Sequence, residues 1–221
     1  MKTSMAIPSL DSFLTLDALD SALSRISGLG YAAVEPLIGV PDHDRLREKA
    51  EEYLAVLERH GLRVSGFRTG LIYRELGFGF SSADPGERDA AVKAVRDVIE
   101  FTSRFQGAKV LNGLIQGPPP GNSSIEETKA RVCECLKMCA AHASKYRCSF
   151  CIEPLNRYEL PYHNTAAEVG GLLARIGSPA LGLLIDTFHM NIEEADVVEA
   201  VVRSFSSIQA VHFMDSNRLP P

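Results

Sequence analysis

Apolar residues along this chain follow two spacings that replace one another in turn. Apolar residues recur every three or four positions, as is typical of a helix with one buried face, in residues 16–26, 46–57, 92–105, 132–143 and 165–177. A sixth helix is predicted after residue 191. Short apolar runs alternate with these helices and predict seven buried strands: KTSMAI, YAAVEP, LRVSGF, AKVLNG, RCSFCIEP, LGLLID and SIQAVHF.

Capping boxes predict where the last three helices begin. In this motif a polar cap residue and a glutamate three positions later each accept a hydrogen bond from the other's backbone N–H group. The predicted pairs are Ser124 with Glu127, Thr165 with Glu168, and Asn191 with Glu194.

Strands that alternate with helices form right-handed βαβ units and hence a parallel sheet. Such a sheet is either open and doubly wound or closed as a barrel, and no GxGxxG motif follows the first strand to favour a dinucleotide-binding open sheet. Only a barrel brings the carboxyl ends of many strands to one mouth. We therefore predict a single α/β domain over residues 1–221, of the (β/α)8 TIM-barrel type, from six polar strand ends: Glu35, Arg68, Asn112, Glu153, Asp186 and His212.

The composition limits the classes of protein to which the chain can belong. Its 221 residues are 45% hydrophobic, enough for one buried core, and its formal net charge is −5. The acidic balance argues against a nucleic-acid partner, and no apolar run approaches the ~20 residues of a membrane span. The N-terminus lacks the pattern of a secretory signal, so we expect a soluble, cytoplasmic protein without a membrane partner.

The five cysteines lie close together in the sequence, between residues 133 and 151. A zinc cluster would need a second close pair to match the first, and the chain has no such arrangement. A disulfide framework would spread its cysteines more widely. We therefore predict reduced and mostly buried thiols.

Three consecutive predicted strands end in residues that bind divalent metals. Because side chains alternate between the two faces of a strand, Glu153 shares a face with Cys151, and Asp186 and His212 hold equivalent positions in the next two strands. One such residue alone would be explained as a polar strand end that faces water. Three together predict a site with two carboxylates and one imidazole, which suits Mn²⁺, Mg²⁺, Co²⁺ or Zn²⁺.

Three segments, IEPLNRYE, LLIDTFHMNIEE and VHFMDSNRLPP, resemble the metal-binding segments of the D-tagatose 3-epimerase and D-psicose 3-epimerase family. That family belongs to the xylose-isomerase-like TIM barrels. The resemblance implies a divalent metal, Mn²⁺ before Mg²⁺ or Co²⁺, bound by Glu153, Asp186 and His212. It also implies that oxygens of a small-molecule sugar substrate are held by Glu159, His189 and Arg218.

The same resemblance implies a catalytic role for Glu153, as one of two carboxylates that move the proton at C3 of a ketose. A proton next to a ketone is weakly acidic, so a divalent ion must polarise the carbonyl and stabilise the enediolate. One carboxylate then removes the proton on one face, and a second returns it on the other. Glu35 stays open between a solvated strand end and a substrate contact.

The family's fourth metal ligand is a glutamate on an eighth strand, whereas this sequence ends at Pro221 after the seventh. At roughly 34 residues per strand, eight units need about 270 residues, so we expect a barrel that is truncated after its seventh strand. Open edges on the first and seventh strands promote association. The 221-residue chain is expected to be less soluble than its full-length form and to have negligible epimerase activity, unless Glu35 supplies the second carboxylate. A homo-oligomer is left open.

Three other functions remain compatible with the sequence. An aldose–ketose or hydroxypyruvate-type isomerase moves a proton between C1 and C2 at nearly the same site. An apurinic endonuclease shares the D-T-x-H motif of residues 186–189, but it needs histidines at the ends of the third and fourth strands, where this chain has FRTG and NGLIQG. A non-catalytic remnant that binds metal or sugar is the third.

Overall fold

Parallel strands alternate with helices throughout the computed structural model, which describes residues 3–40, 42–121 and 123–218, without the side chains of residues 42–47. The strands are β1 (Ser4–Ile7), β2 (Ala33–Pro36), β3 (Arg63–Val64), β4 (Gly66–Arg68), β5 (Lys109–Asn112), β6 (Ser149–Ile152), β7 (Leu181–Asp186) and β8 (Ile208–His212). The helices are α1 (Leu16–Gly28), α2 (Asp42–Arg59), α3 (Gly70–Leu76), α4 (Pro85–Thr102), α5 (Ile125–Lys145), α6 (Ala166–Ile176), α7 (Thr187–Glu193) and α8 (Val197–Ser204).

The third predicted strand is divided into β3 and β4, which belong to different sheets. One sheet has the order β1-β2-β3 and the other β4-β5-β6-β7-β8, with every neighbouring pair parallel. The sheets meet where the Ile38 N–H donates to the carbonyl of Arg68 at 3.0 Å. Counting β3 and β4 as one position, the described residues contain seven strand positions in the order of a (β/α) barrel, as predicted.

The side chains on one face of the strands pack on one another on the inner side of the curved sheet. The side chains on the opposite face pack against the helices. The inner layer contains Leu111, Cys151 and Leu184, with Ala210 against them. The outer layer forms the main core, where Phe67, Phe101 and Phe105 meet edge to face with ring centroids 5.1–5.2 Å apart. This alternation fixes which strand-end residues point into the mouth of the barrel.

Two of the three predicted capping boxes are confirmed, those of Ser124 at α5 and Thr165 at α6. The third is wrong, because Asn191 lies inside α7 and the following helix begins after Asp196. The Glu194 carboxylate instead accepts a hydrogen bond from the Ala166 N–H, at 2.8 Å, at the start of α6. A glutamate in this position fits the sequence pattern of a cap, but tertiary packing gives it a donor from another helix.

The prediction of buried, reduced cysteines is confirmed, since all five thiols are free and buried. Burial raises the pKa of the Cys148 thiol to about 11 and that of Cys151 to about 12. These groups are therefore neutral thiols at neutral pH.

Among the residues described, the outer strands are β1 and β3 in one sheet and β4 and β8 in the other. In α8 and the turn that leads from it to β8, the exposed apolar residues include Val198, Val202 and Phe205. The expected loss of solubility relative to a full-length form stays a prediction. No helix within the described ranges combines the length and the apolar content needed to cross a membrane.

Candidate metal centre

The ends of β6, β7 and β8 bring together the three residues that the sequence predicts as metal ligands. One donor atom from each of Glu153, Asp186 and His212 lies within 4.8 Å of the other two. The Nδ1 atom of His212 lies 3.4 Å from Glu153 Oε1 and 3.8 Å from Asp186 Oδ2. The register explains this, because β7 and β8 place Asp186 directly beside His212.

Asp186 has two tasks, one for each carboxylate oxygen. Its Oδ1 accepts a hydrogen bond from the Phe188 N–H at 2.8 Å and so caps α7. Its Oδ2 faces His212. The residue is only 7% exposed, so the carboxylate is held from both sides and its second oxygen is directed at the cluster.

The electrostatics of the cluster are those of carboxylates gathered around one imidazolium. Burial works to lower the pKa of His212, but hydrogen bonding and the charges of Glu153 and Glu35 outweigh it and raise that pKa to about 10. Burial together with the Glu153 charge raises the pKa of Asp186. Burial also opposes ionisation of Glu153, but contact with His212 outweighs it and lowers the Glu153 pKa. A bound divalent cation would supply the positive charge that the His212 imidazolium supplies to these carboxylates in its absence.

The donor set fits a divalent cation of the Mn²⁺ or Mg²⁺ class, because it offers two carboxylate oxygens and one imidazole nitrogen without a thiolate. All three side chains are largely buried, with 9–19% of the side-chain surface exposed. Ligands on adjacent, hydrogen-bonded strands are held at nearly fixed separations. The geometry is therefore that of a preformed site.

Glu35 and Arg68 also lie at this mouth, and the sequence reasoning left the role of Glu35 open. Glu35 Oε1 lies 2.8 Å from Nε2 of His212 and 3.4 Å from Nε of Arg68. The Arg68 guanidinium also donates to the carbonyl oxygens of Ile7, at 2.6 Å, and of Glu35, at 3.1 Å. These contacts connect β4 to β1 and β2 across the division between the two sheets.

Asn112 was expected at the mouth, and the structure corrects this expectation. It pairs in register with Ile152, on the face opposite Leu111 and Cys151, and it is fully buried. Its Oδ1 accepts a hydrogen bond from the Thr69 hydroxyl at 3.4 Å. By alternation the mouth position after β5 belongs to the next residue, Gly113.

Gly113 leaves the space that the Glu153 carboxylate occupies. A Cβ atom at this position would lie 2.8 Å from Glu153 Oε2 and 3.2 Å from a methyl group of Leu155. The first separation is shorter than the contacts that Cβ atoms make, so the carboxylate would have to move.

Replacing Gly113 by alanine is expected to weaken Mn²⁺ binding by ~10-fold. Displacing the Glu153 carboxylate should reduce the metal affinity about as much as removing an outer partner that orients a ligand. Titration calorimetry of the metal-stripped protein measures this affinity. Gly170→Ala in α6 is the matched control, since a Cβ at Gly170 would meet open space. Equal affinities in the Gly113 and Gly170 variants would contradict the packing argument.

The three residues predicted to hold a sugar also lie together, beside the cluster. Arg218 Nη2 lies 2.7 Å from Glu159 Oε1 and 3.4 Å from Nε2 of His189, and the guanidinium stacks 4.3 Å from the centre of the Phe188 ring. The charges of His189 and Arg218 contribute to the lowered pKa of Glu153, which places both close to that carboxylate. Their contact with a sugar stays a prediction.

Asn156 determines which nitrogen of His189 carries the proton. The Asn156 backbone N–H can only donate, and it donates to His189 Nδ1 at 3.2 Å. The side-chain amide of Asn156 also lies 2.8 Å from the same nitrogen. Neutral His189 therefore carries its proton on Nε2. Because the Arg218 guanidinium can only donate, its 3.4 Å contact with Nε2 is then an approach of two donors and not a hydrogen bond, and a bound oxygen could accept from both.

A parallel barrel with acidic and imidazole ligands at the carboxyl ends of its strands defines a class of metal-binding TIM barrels. The family model described as "Xylose isomerase-like TIM barrel" matches residues 23–221. A D-psicose 3-epimerase from Agrobacterium fabrum is 36% identical over 208 residues, covering 90% of this chain and 68% of that protein. The chain belongs to the xylose isomerase-like TIM barrel family, in its D-psicose 3-epimerase group.

Other comparisons agree on the fold. A crystal structure of D-psicose 3-epimerase with D-tagatose from Clostridium cellulolyticum H10 superposes with a TM-score of 0.80 at 22% identity, covering 99% of this chain and 74% of that one. A probable ketose 3-epimerase from Synechocystis is 36% identical over 118 residues, which cover 49% of this chain and 41% of that protein. Three further relatives named as ketose, L-ribulose or D-psicose 3-epimerases align over 33–48% of their own lengths, so the chain matches less than half of each.

Proposed function

We propose that this chain carries the metal site and the proton-transfer base of a ketose 3-epimerase. The observation that supports the proposal most directly is the convergence of Glu153, Asp186 and His212 within 4.8 Å at the barrel mouth. The relatives named as 3-epimerases of D-psicose, L-ribulose and other ketoses supply the substrate class. A bound divalent cation, Mn²⁺ before Mg²⁺ or Co²⁺, would supply Lewis acidity at the carbonyl oxygen next to the reacting carbon.

Glu153 is the residue that removes the proton from C3. Its Oε1 is 3.4 Å from His212 Nδ1, while Oε2 lies on the side of Gly113, where a Cβ atom would come within 2.8 Å of it. The nearby positive charges of His212, His189 and Arg218 keep the carboxylate ionised and therefore able to accept a proton. A positioned base of this kind contributes ~10²–10⁴-fold to the rate.

Arg218, His189 and Glu159 hold the sugar's oxygens beside this base. Arg218 and the Nε2–H of His189 donate, and Glu159 accepts, so the group matches the mixed donors and acceptors of hydroxyl groups. Arg218 is held by Glu159 and by the Phe188 ring. Thr187 holds the same segment after β8, because its hydroxyl donates to the Met214 carbonyl at 2.7 Å.

Exchange of the C3 hydrogen with solvent is the reaction that these residues support without a second base. Epimerisation also needs a second carboxylate that returns a proton to the opposite face. The family resemblance places this carboxylate on the eighth strand of the barrel, the position that follows β8. Removal and return on one face needs only Glu153. Hydrogen exchange at C3 therefore tests the proposal from the residues described.

The experiment incubates the protein in D₂O with D-psicose, D-tagatose or L-ribulose, with Mn²⁺ or after removal of metal by a chelator. Proton NMR then reports loss of the C3 hydrogen and any epimer that forms. We expect metal-dependent exchange at C3 with at least one ketose.

Exchange confined to C1, with an aldose as product, would replace the proposal with an aldose–ketose isomerase. Metal binding without exchange at any carbon would replace it with a non-catalytic site. We also propose a cytoplasmic location, in keeping with a small-molecule sugar substrate.

A further inference from the structure

The two ring nitrogens of His212 face different groups. Nδ1 is directed at the cluster, 3.4 Å from Glu153 and 3.8 Å from Asp186. Nε2 is directed away from it, 2.8 Å from Glu35 Oε1. Each of these carboxylates can only accept, and the Glu35 contact is the shortest of the three, so when the imidazole is neutral the retained proton is favoured on Nε2 and Nδ1 is free to bind a metal.

Glu35 is itself held in place. It lies at the end of β2, is only 8% exposed, and has the Arg68 guanidinium beside it, with Nε 3.4 Å from Oε1. Arg68 is fixed in turn by its hydrogen bonds to the carbonyl oxygens of Ile7 and Glu35. A buried carboxylate that is anchored in this way has little freedom to swing toward another partner.

Histidines that bind metals nearly always donate their second N–H to a carboxylate, a carbonyl or water, and this bond fixes the tautomer and the ring orientation. The arrangement of Arg68, Glu35 and His212 has this form, with Nδ1 directed at the two acidic residues. Glu35 itself faces the opposite nitrogen. Its position is that of a group that orients a ligand, not of a ligand.

We propose that Glu35, anchored by Arg68, is a positioning residue that holds His212 with Nδ1 toward the metal and Nε2 protonated. The proposal rests on the metal site of the proposed function. It assigns to Glu35 neither a substrate contact nor the second catalytic carboxylate.

The test measures Mn²⁺ affinity by titration calorimetry of the metal-stripped protein for Glu35→Ala and Glu35→Gln. We expect Glu35→Ala to weaken binding 10–100-fold, about what the loss of a ligand's outer partner costs. Glu35→Gln should lose less, because its carbonyl oxygen still accepts from Nε2. Unchanged affinity in Glu35→Ala, or equal losses in the two variants, would overturn the proposal.

Glu100→Gln is the matched control, since Glu100 accepts from His142 at 3.0 Å in a similar carboxylate–histidine pair between α4 and α5. Its affinity for Mn²⁺ should equal that of the parent. Circular dichroism of every variant verifies the fold. If the parent protein binds no divalent metal, the proposed function fails; if the parent binds metal and Glu35→Ala binds equally well, only this inference fails.

A spectroscopic readout tests the tautomer directly. With the protein loaded with diamagnetic Mg²⁺, long-range ¹⁵N–¹H correlation spectra of labelled His212 should show a proton on Nε2. Glu35→Ala should lose this fixed pattern. A proton on Nδ1 in the loaded parent would overturn the proposal, because the cluster would then face the wrong nitrogen.

Discussion

Replacing Asp186 by alanine is expected to abolish tight binding of Mn²⁺, with a loss of at least ~100-fold in affinity. The change removes one of two carboxylate ligands and leaves only Glu153 and His212 among the residues that converge on the site. Removing even an outer partner of a metal ligand costs 10–100-fold, so removing a charged ligand should cost at least as much. Metal content after dialysis, together with titration calorimetry, measures the effect.

Asp186→Asn separates metal binding from helix capping. The asparagine oxygen can still accept from the Phe188 N–H, which Asp186 Oδ1 caps at 2.8 Å, while the negative charge is lost. We expect Asp186→Ala to lower the free energy of unfolding by about 1 kcal/mol more than Asp186→Asn. Both variants should lose tight metal binding.

Arg218→Ala is the counterpart on the sugar side. Arg218 contacts Glu159, His189 and the Phe188 ring. It is not one of the three residues whose donor atoms converge at the candidate metal site. Its loss should leave the Mn²⁺ affinity unchanged and raise the KM for the ketose. Equal loss of metal in the Asp186 and Arg218 variants would mean that the two groups are wrongly separated.

The convergence of Glu153, Asp186 and His212 could be predicted from sequence because two rules of strand geometry suffice for it. Side chains alternate along a strand, and the carboxyl ends of parallel strands meet at one edge. Glu153, Asp186 and His212 each lie at an inward position at such an end, and the structure brings them together. Asn112 obeys the same alternation but lies one residue before the inward position, which is Gly113, so the expectation for Asn112 was wrong. A glycine offers no polar signal in the sequence, although its lack of a side chain makes room for Glu153.

The pairing of Glu35 with His212 could not be predicted, because 177 positions separate these residues and the contact depends on the closeness of β2 and β8 across the mouth. The division of the third predicted strand into β3 and β4 could not be predicted either. β3 and β4 are only two and three residues long, and each pairs with a different sheet. Apolar periodicity measures burial and is the same on both sides of such a break. The same limit explains Glu194, whose partner at the start of α6 lies outside its own helix.

Glu153→Gln is expected to lower the exchange of the C3 hydrogen by ~10²–10⁴-fold, the usual contribution of a positioned acid or base. Glutamine retains a carbonyl oxygen in nearly the same place, so part of the ligand field remains. It has no basic oxygen that can accept a proton from carbon at neutral pH. NMR-detected exchange in D₂O, measured at Mn²⁺ concentrations that saturate each variant, separates the loss of the base from weaker metal binding.

Two comparisons complete this test of Glu153. Glu159→Gln removes the charge that pairs with Arg218 and should mainly raise the KM for the ketose, because its proposed role is to hold the sugar's oxygens and not to move a proton. Glu100→Gln, at a surface pair between α4 and α5, should exchange at the parent rate. Full exchange in Glu153→Gln at saturating metal would show that another group removes the proton.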